Sequence, residues 1–237
     1  MAINRIDNVF PQGVEAFFTD RIGGVSQGPY GGFNVGAHVG DVPSRVAYNR
    51  VLLEIQGGLP QQPRWLNQVH GTKVQTDTTH FDCADAAVST QPNEPLAIMT
   101  ADCLPVLFAS KDGLLVAAAH AGWRGLAAGV LEATIEQMAV PASDIVAWLG
   151  PCIGPRAFEV GGEVKAAFSK EDAPAFTAKG EKYLADLQQL AANRLARLGI
   201  ENIHRQADCT FSQSEHYFSY RREQVTGRMA FVICRKI

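Results

Sequence analysis

The chain has 237 residues, 46% of them hydrophobic and 19% charged, a composition that supports a sizeable packed core. A net charge of −3 leaves no basic footprint for nucleic acid or an anionic membrane surface. No apolar run approaches the roughly 18 residues of a membrane span, and the opening M-A-I-N-R-I-D lacks the apolar centre of a secretory signal.

The five cysteines are odd in number, scattered and never in a C-x-x-C pair, which argues against a disulfide framework and for a reducing compartment. A cytoplasmic protein with no nucleic-acid or membrane partner is the expectation.

Residues 14–19 read as a strand, and residues 20–41 are too rich in glycine to be regular. Within them G-V-S-Q-G at 24–28 matches the G-x-S-x-G nucleophile elbow by letter. That elbow needs a helix after its serine. The following P-Y-G-G starts one poorly, so a structural loop is the better reading. Residues 42–55 predict a helix, with Val46, Leu52, Leu53 and Ile55 loosely on one face. Extended structure at 64–66 then delivers His70. A lone histidine after an apolar run is more often a hydrogen-bonded structural residue than a ligand, and both readings stand for His70.

Short apolar runs at 84–89, 96–99, 104–109 and 114–119 predict buried strands, and the S-K-D-G turn at 110–113 makes the last two a hairpin. Antiparallel pairing sets the start of one strand beside the end of the other. Cys103 precedes the first and His120 follows the second, so the hairpin brings them together. A buried, inert thiol is the plainer reading of Cys103. Two imidazoles and a thiolate, however, also form a zinc ligand set with the fourth position left open.

Past His120, Gly122 and Gly125 flank Trp123 and Arg124, and a helix is expected from about residue 126, ending at Pro141. A strand, a glycine turn and a helix N-terminus suit an anion, with Arg124 adding bidentate contacts to a phosphate. Equally, the glycines serve tight strand-to-helix packing. Residues 145–149 predict a further strand, 163–168 a short helix, 169–180 an exposed mobile loop, and 184–198 an amphipathic helix stopped by Gly199. Residues 202–204 read as an edge strand and 229–234 as a closing strand. With no repeat or linker, residues 1–237 form one domain.

The motifs occur in order: R-I-G-G-V-S, N-V-G, W-L-N-Q-V-H-G, T-A-D-C-L-P-V, H-A-G-W-R-G, W-L-G-P-C-I-G-P, F-E-V-G, S-Y-R-R and T-G-R-M. Through them nearly the whole chain resembles the YfiH-like laccase-domain family, also called the multicopper polyphenol oxidoreductase family. The resemblance implies an α+β domain, a sandwich of mixed β-sheets flanked by helices and related to a group of cysteine hydrolases. It makes His70, Cys103 and His120 the metal ligands and catalytic residues, holding zinc or copper. The implied activity is purine nucleoside phosphorolysis of adenosine, inosine and 5′-methylthioadenosine, with adenosine deamination, in a monomer or homodimer whose partners are nucleoside and phosphate. Older labels for the family are copper-dependent polyphenol oxidase (laccase) and peptidoglycan editing factor.

Arg124 is the phosphate candidate, with Arg21 and Arg221 as alternatives and Asn34 also on the substrate side. Asp102 or Glu159 is the acid/base or the holder of ribose hydroxyls. The residues themselves argue against a true laccase, because six histidines without an H-x-H pair offer too few ligands for several coppers. Copper nevertheless outcompetes zinc for nitrogen-rich ligands. The H-x-E and P-C-x-x-C signature of zinc deaminases is absent. The runner-up is a metal-free hydrolase with Cys103 as nucleophile and His120 as its base.

Overall fold

The computed structural model describes residues 2–236. Its strands, in chain order, are β1 (Ile3–Arg5), β2 (Val14–Thr19), β3 (Arg64–Trp65), β4 (Val74–Gln75), β5 (Ala86–Ser89), β6 (Leu96–Thr100), β7 (Leu104–Ser110), β8 (Val116–Ala121), β9 (Ile145–Leu149), β10 (Glu159–Val160), β11 (Phe176–Lys179), β12 (Lys182–Ala185), β13 (Asn202–Arg205) and β14 (Met229–Arg235). The helices are α1 (Pro43–Gly57), α2 (Trp123–Ala128), α3 (Val130–Met138), α4 (Gly162–Ala166), α5 (Leu187–Arg197) and α6 (Tyr220–Glu223). A five-stranded sheet runs β1-β2-β14-β6-β3, a six-stranded sheet β13-β9-β7-β8-β5-β4, and a small third sheet β10-β12-β11.

Strand periodicity assigns the layers, because alternate side chains leave opposite faces. Along β14, Met229, Phe231 and Ile233 pack with Ile98, Leu107, Ala118 and Trp148 between the two large sheets. Ala230 and Val232 point the other way and meet Phe17, Val35 and Leu53 of the α1 layer. On the far face of the six-stranded sheet, Leu104, Val106, Phe108, Ala117 and Ala119 pack with Leu131, Leu190 and Leu195 from α3 and α5. The result is an α/β/β/α stack, the α+β sandwich flanked by helices. Phe18, Trp148 and Phe231 stack at its centre, with ring centroids 5.7–6.3 Å apart.

The β7–β8 hairpin forms as expected, but its second strand is Val116–Ala121 and not 114–119, so Leu104 stands opposite Ala121 and His120 lies inside the strand opposite Pro105. Elsewhere the structure corrects the sequence reading. The helix expected from residue 126 starts at Trp123 and breaks at Gly129, whose φ of +100° ends α2 after six residues. The buried face of α1 is Val46, Asn49, Leu53 and Gly57, whereas Ile55 is 70% exposed. Residues 169–180 are not a loose loop. A helical turn and β11 occupy them, anchored by the fully buried Asp172, which accepts from Ser169, Asn193 and Arg197. The expected edge strand is β13, paired in parallel with β9 alone. No helix among the described residues is long and apolar enough to cross a membrane.

Candidate metal centre

Three neighbouring strands of the six-stranded sheet end at the same place. Ala86 pairs with Ala119 across β5 and β8, so the next register position sets Asp85 against His120, and His120 N–H donates to the Asp85 carbonyl at 2.7 Å. Across β8 and β7 the same edge brings up Cys103, just before Leu104. His70 arrives from the other sheet along the connection between β3 and β4. The Gln68 amide docks that segment on β6, donating to Met99 O and accepting from Met99 N, both at 2.8 Å. His70 itself sits at φ +61°, a left-handed conformation uncommon for a residue with a side chain.

The donor atoms of His70, Cys103 and His120 all lie within 4.8 Å of one another, and His70 Nε2 is 3.6 Å from Cys103 Sγ. A four-coordinate zinc site has ligand atoms at about 2.0–2.3 Å from the ion, so this spacing and donor set fit one divalent cation with a position left open. Gly122 makes room for the cluster. A Cβ there would lie 2.7 Å from His70 Cδ2 and 2.9 Å from Cys103 Sγ.

Burial pushes the Cys103 thiol up, but His120 and His70 favour the thiolate and bring it down to about 6. Burial opposes charge on His120 as well, and the Cys103 and Asp85 anions outweigh it, raising the imidazole to about 9. The two shifts share one cause: the thiolate and the imidazolium stabilise each other. The thiolate is the form that binds a metal, and a cation entering the site displaces the extra imidazole proton.

The three donors open into a cleft of about 430 Å³. Trp123, Phe158 and Tyr220 supply aromatic walls, Met99, Ile153 and Leu187 aliphatic ones, and Arg124, Arg221, Arg228 and His38 the basic groups. None of these three arginines forms an ion pair with a carboxylate among the described residues. The Arg124 guanidinium lies over the Trp123 ring at 4.3 Å from its centroid. Arg221 Nη1 donates to Glu159 O at 2.7 Å, and Arg228 Nη1 donates to Thr226 O and Gly227 O. Burial lowers the Arg228 pKa, and burial with Arg228 and Arg50 nearby lowers that of His38, favouring its neutral form.

The other candidates have different positions. Arg21 does not line the cleft; it bonds Glu223 at 2.9 Å and Ser214 O at 3.1 Å, with its guanidinium over Phe218. Asn34 is fully buried away from the cleft, accepting from the N–H groups of Gly36 and Arg228 and donating to Asp41. Glu159 points to solvent, where Lys182 and Lys179 hold its carboxyl down to about 2. Asp102 reaches the cleft lining with its carboxylate already engaged by Thr210 Oγ1, Ser219 Oγ and Arg221 N–H at 2.6–3.0 Å. Ser26 of the G-x-S-x-G match donates to Asp41 at 2.6 Å inside an irregular loop, so no nucleophile elbow exists.

Sequence reading missed Asp85, His38, Tyr220 and Arg228. Asp85 had a usable signal, since an acid opening an apolar strand must find a partner when buried.

An α/β/β/α sandwich with a Cys-His-His cluster at a strand edge defines the class, and sequence comparison gives the family. Residues 15–236 match the family described as Multi-copper polyphenol oxidoreductase laccase, and the chain belongs to it. The Escherichia coli protein named Purine nucleoside phosphorylase YfiH is 53% identical over 229 residues, covering 94% of each chain. A Haemophilus influenzae relative named Purine nucleoside phosphorylase is 49% identical over 240 residues, covering 98% of each. The crystal structure of Neisseria meningitidis protein NMB0706 matches with a TM-score of 0.94 at 44% identity, covering all of both chains.

Proposed function

We propose that the chain is a metal-dependent purine nucleoside phosphorylase acting on adenosine, inosine and 5′-methylthioadenosine. One observation carries the reading beside the relatives' names. A single cleft joins three metal donors, aromatic walls and three arginines without carboxylate partners. Its volume suits a nucleoside, within the roughly 300–1,000 Å³ of small-molecule sites. The aromatic walls match a flat base. The arginines match phosphate, a dianion that their forked guanidinium groups bind in bidentate fashion.

In the reaction, an oxygen of monohydrogen phosphate bonds to ribose C1′ as the C1′–N9 bond breaks, and the proton the phosphate gives up ends on a ring nitrogen of the leaving base. Arg124, Arg221 and Arg228 hold and neutralise the phosphate. Trp123 and Tyr220 stack or flank the base and exclude water. His70 Nε2, Cys103 Sγ and His120 would hold the ion, zinc or copper, since imidazole and thiolate suit both. A bound divalent ion supplies Lewis acidity to a coordinated oxygen. Adenosine deamination at the same centre is the accompanying activity.

A second reading follows from the alignment of Cys103, His120 and Asp85, which is the order of a nucleophile, a base and its orienting acid. Chromatography of adenosine and inosine incubations separates the two. Free adenine and hypoxanthine that require phosphate, and that vanish on chelation and return with zinc, support the phosphorylase. Activity that survives chelation and dies on thiol alkylation supports the hydrolase. Ammonia and inosine from adenosine identify the deaminase.

A further inference from the structure

Asp85 is completely buried and has no Lys or Arg partner among the described residues. Its Oδ1 lies 2.8 Å from His120 Nδ1 and accepts from His70 N–H at 2.9 Å. Its Oδ2 accepts from the N–H groups of Val69 at 3.1 Å and Gly71 at 2.7 Å. We infer that Asp85 is the positioning residue of the metal centre: one carboxylate fixes the tautomer of His120 and clamps the turn that carries His70. The inference rests on the metal-binding reading above.

The physical chain is short. A carboxylate has lone pairs only, so the hydrogen between it and His120 resides on Nδ1. The lone pair of the neutral ring is then on Nε2, toward Cys103 and His70. Register leaves no freedom here, because Asp85 stands directly across from His120 on adjacent strands. On the other side, three successive backbone N–H groups converge on the same carboxylate, a nest around an anion. They hold residues 69–71 in the turn that gives His70 its φ of +61°. Two ligands, one on β8 and one in the β3–β4 connection, are thus set by one residue that touches neither cation nor substrate, the general role of outer partners to metal ligands.

Asp85→Asn disturbs both roles without removing the side chain. An amide nitrogen in the place of Oδ1 donates to His120 Nδ1, moves the ring proton to Nε2, off the metal side, and leaves the His70 N–H without its acceptor, while the remaining oxygen still accepts from Val69 and Gly71. Competition of metal-stripped protein with a chromophoric chelator for zinc is expected to show D85N binding about 10–100-fold more weakly than wild type, with an unchanged circular dichroism spectrum. Folded D85N with wild-type zinc affinity overturns the inference alone, and wild-type protein that takes up no zinc overturns the metal reading itself. Should D85N fail to fold, long-range ¹H–¹⁵N spectra of histidine-labelled, zinc-loaded wild type decide. Protonated Nδ1 and ligated Nε2 on His120, assigned by His120→Asn, are expected. A ligated Nδ1 contradicts the inference.

Discussion

Two stretches of this chain look alike on paper, each polar, irregular and glycine-containing: residues 20–41 and residues 66–73. In the first, most polar side chains are engaged with one another, and His38 alone of the stretch lines the cleft. Asp41 takes Ser26 and Asn34; Asn49 takes Val25 N–H and gives its amide to Ser26 Oγ and Asn34 O; Arg21 takes Glu223. In the second, Asp85 absorbs the backbone N–H groups and leaves the His70 ring facing a cleft. A saturated polar network is architecture, whereas one that leaves lone pairs over a cavity is a site.

The strongest way to break the comparison is to remove a donor. Cys103→Ala is expected to lower metal occupancy from one per chain to trace and to weaken zinc binding more than about 100-fold, beyond the range of outer-partner changes. Elemental analysis of protein purified without a nickel column checks it. Gly122→Ala leaves all three donors but drives a Cβ between His70 and Cys103. A displacement of that order is expected to cost about 100-fold in rate, read in steady-state kinetics with metal supplied.

Arg124→Ala tests the phosphate side. Loss of a charge-assisted hydrogen bond of about 1.5–3 kcal/mol should raise the KM for phosphate roughly 10–150-fold, with the metal retained. Asn49→Ala sharpens the contrast from the architectural side. It leaves buried partners unsatisfied and should lower stability by about 1–3 kcal/mol in urea unfolding, while metal content and phosphate KM stay at wild-type values. Arg21→Ala should have the smallest catalytic effect, with the phosphate KM unchanged, because its guanidinium is engaged away from the cleft.

What was legible in the sequence was what local pattern decides. The S-K-D-G turn marks the β7–β8 hairpin, and antiparallel pairing alone puts Cys103 near His120, although the register itself differs from the expected strand bounds by two residues. The leucine spacing of α5 likewise follows from periodicity, and the apolar run at 229–234 marks β14 as a buried strand. What escaped depends on distant partners. Gly129 reads as a tolerable helix glycine until its φ of +100° is seen. Asp172 makes an apparently loose segment rigid through Asn193 and Arg197, which lie 21 and 25 residues further along the chain. Arg228 follows a T-G turn and looks like a strand-end charge, and only the fold places it in the cleft. The ligand set and family rested on ordered motifs, while Arg21 and Asn34 show that motif residues also serve to hold a loop shut.

The most direct test of the central claim is ³¹P NMR of inosine, inorganic phosphate and zinc-loaded protein in one tube. The account predicts loss of the phosphate signal matched by growth of a ribose 1-phosphate resonance, in step with hypoxanthine release, and neither change in Cys103→Ala protein. Hypoxanthine without a new phosphate ester, or no turnover of any purine nucleoside by fully metallated protein, would contradict it.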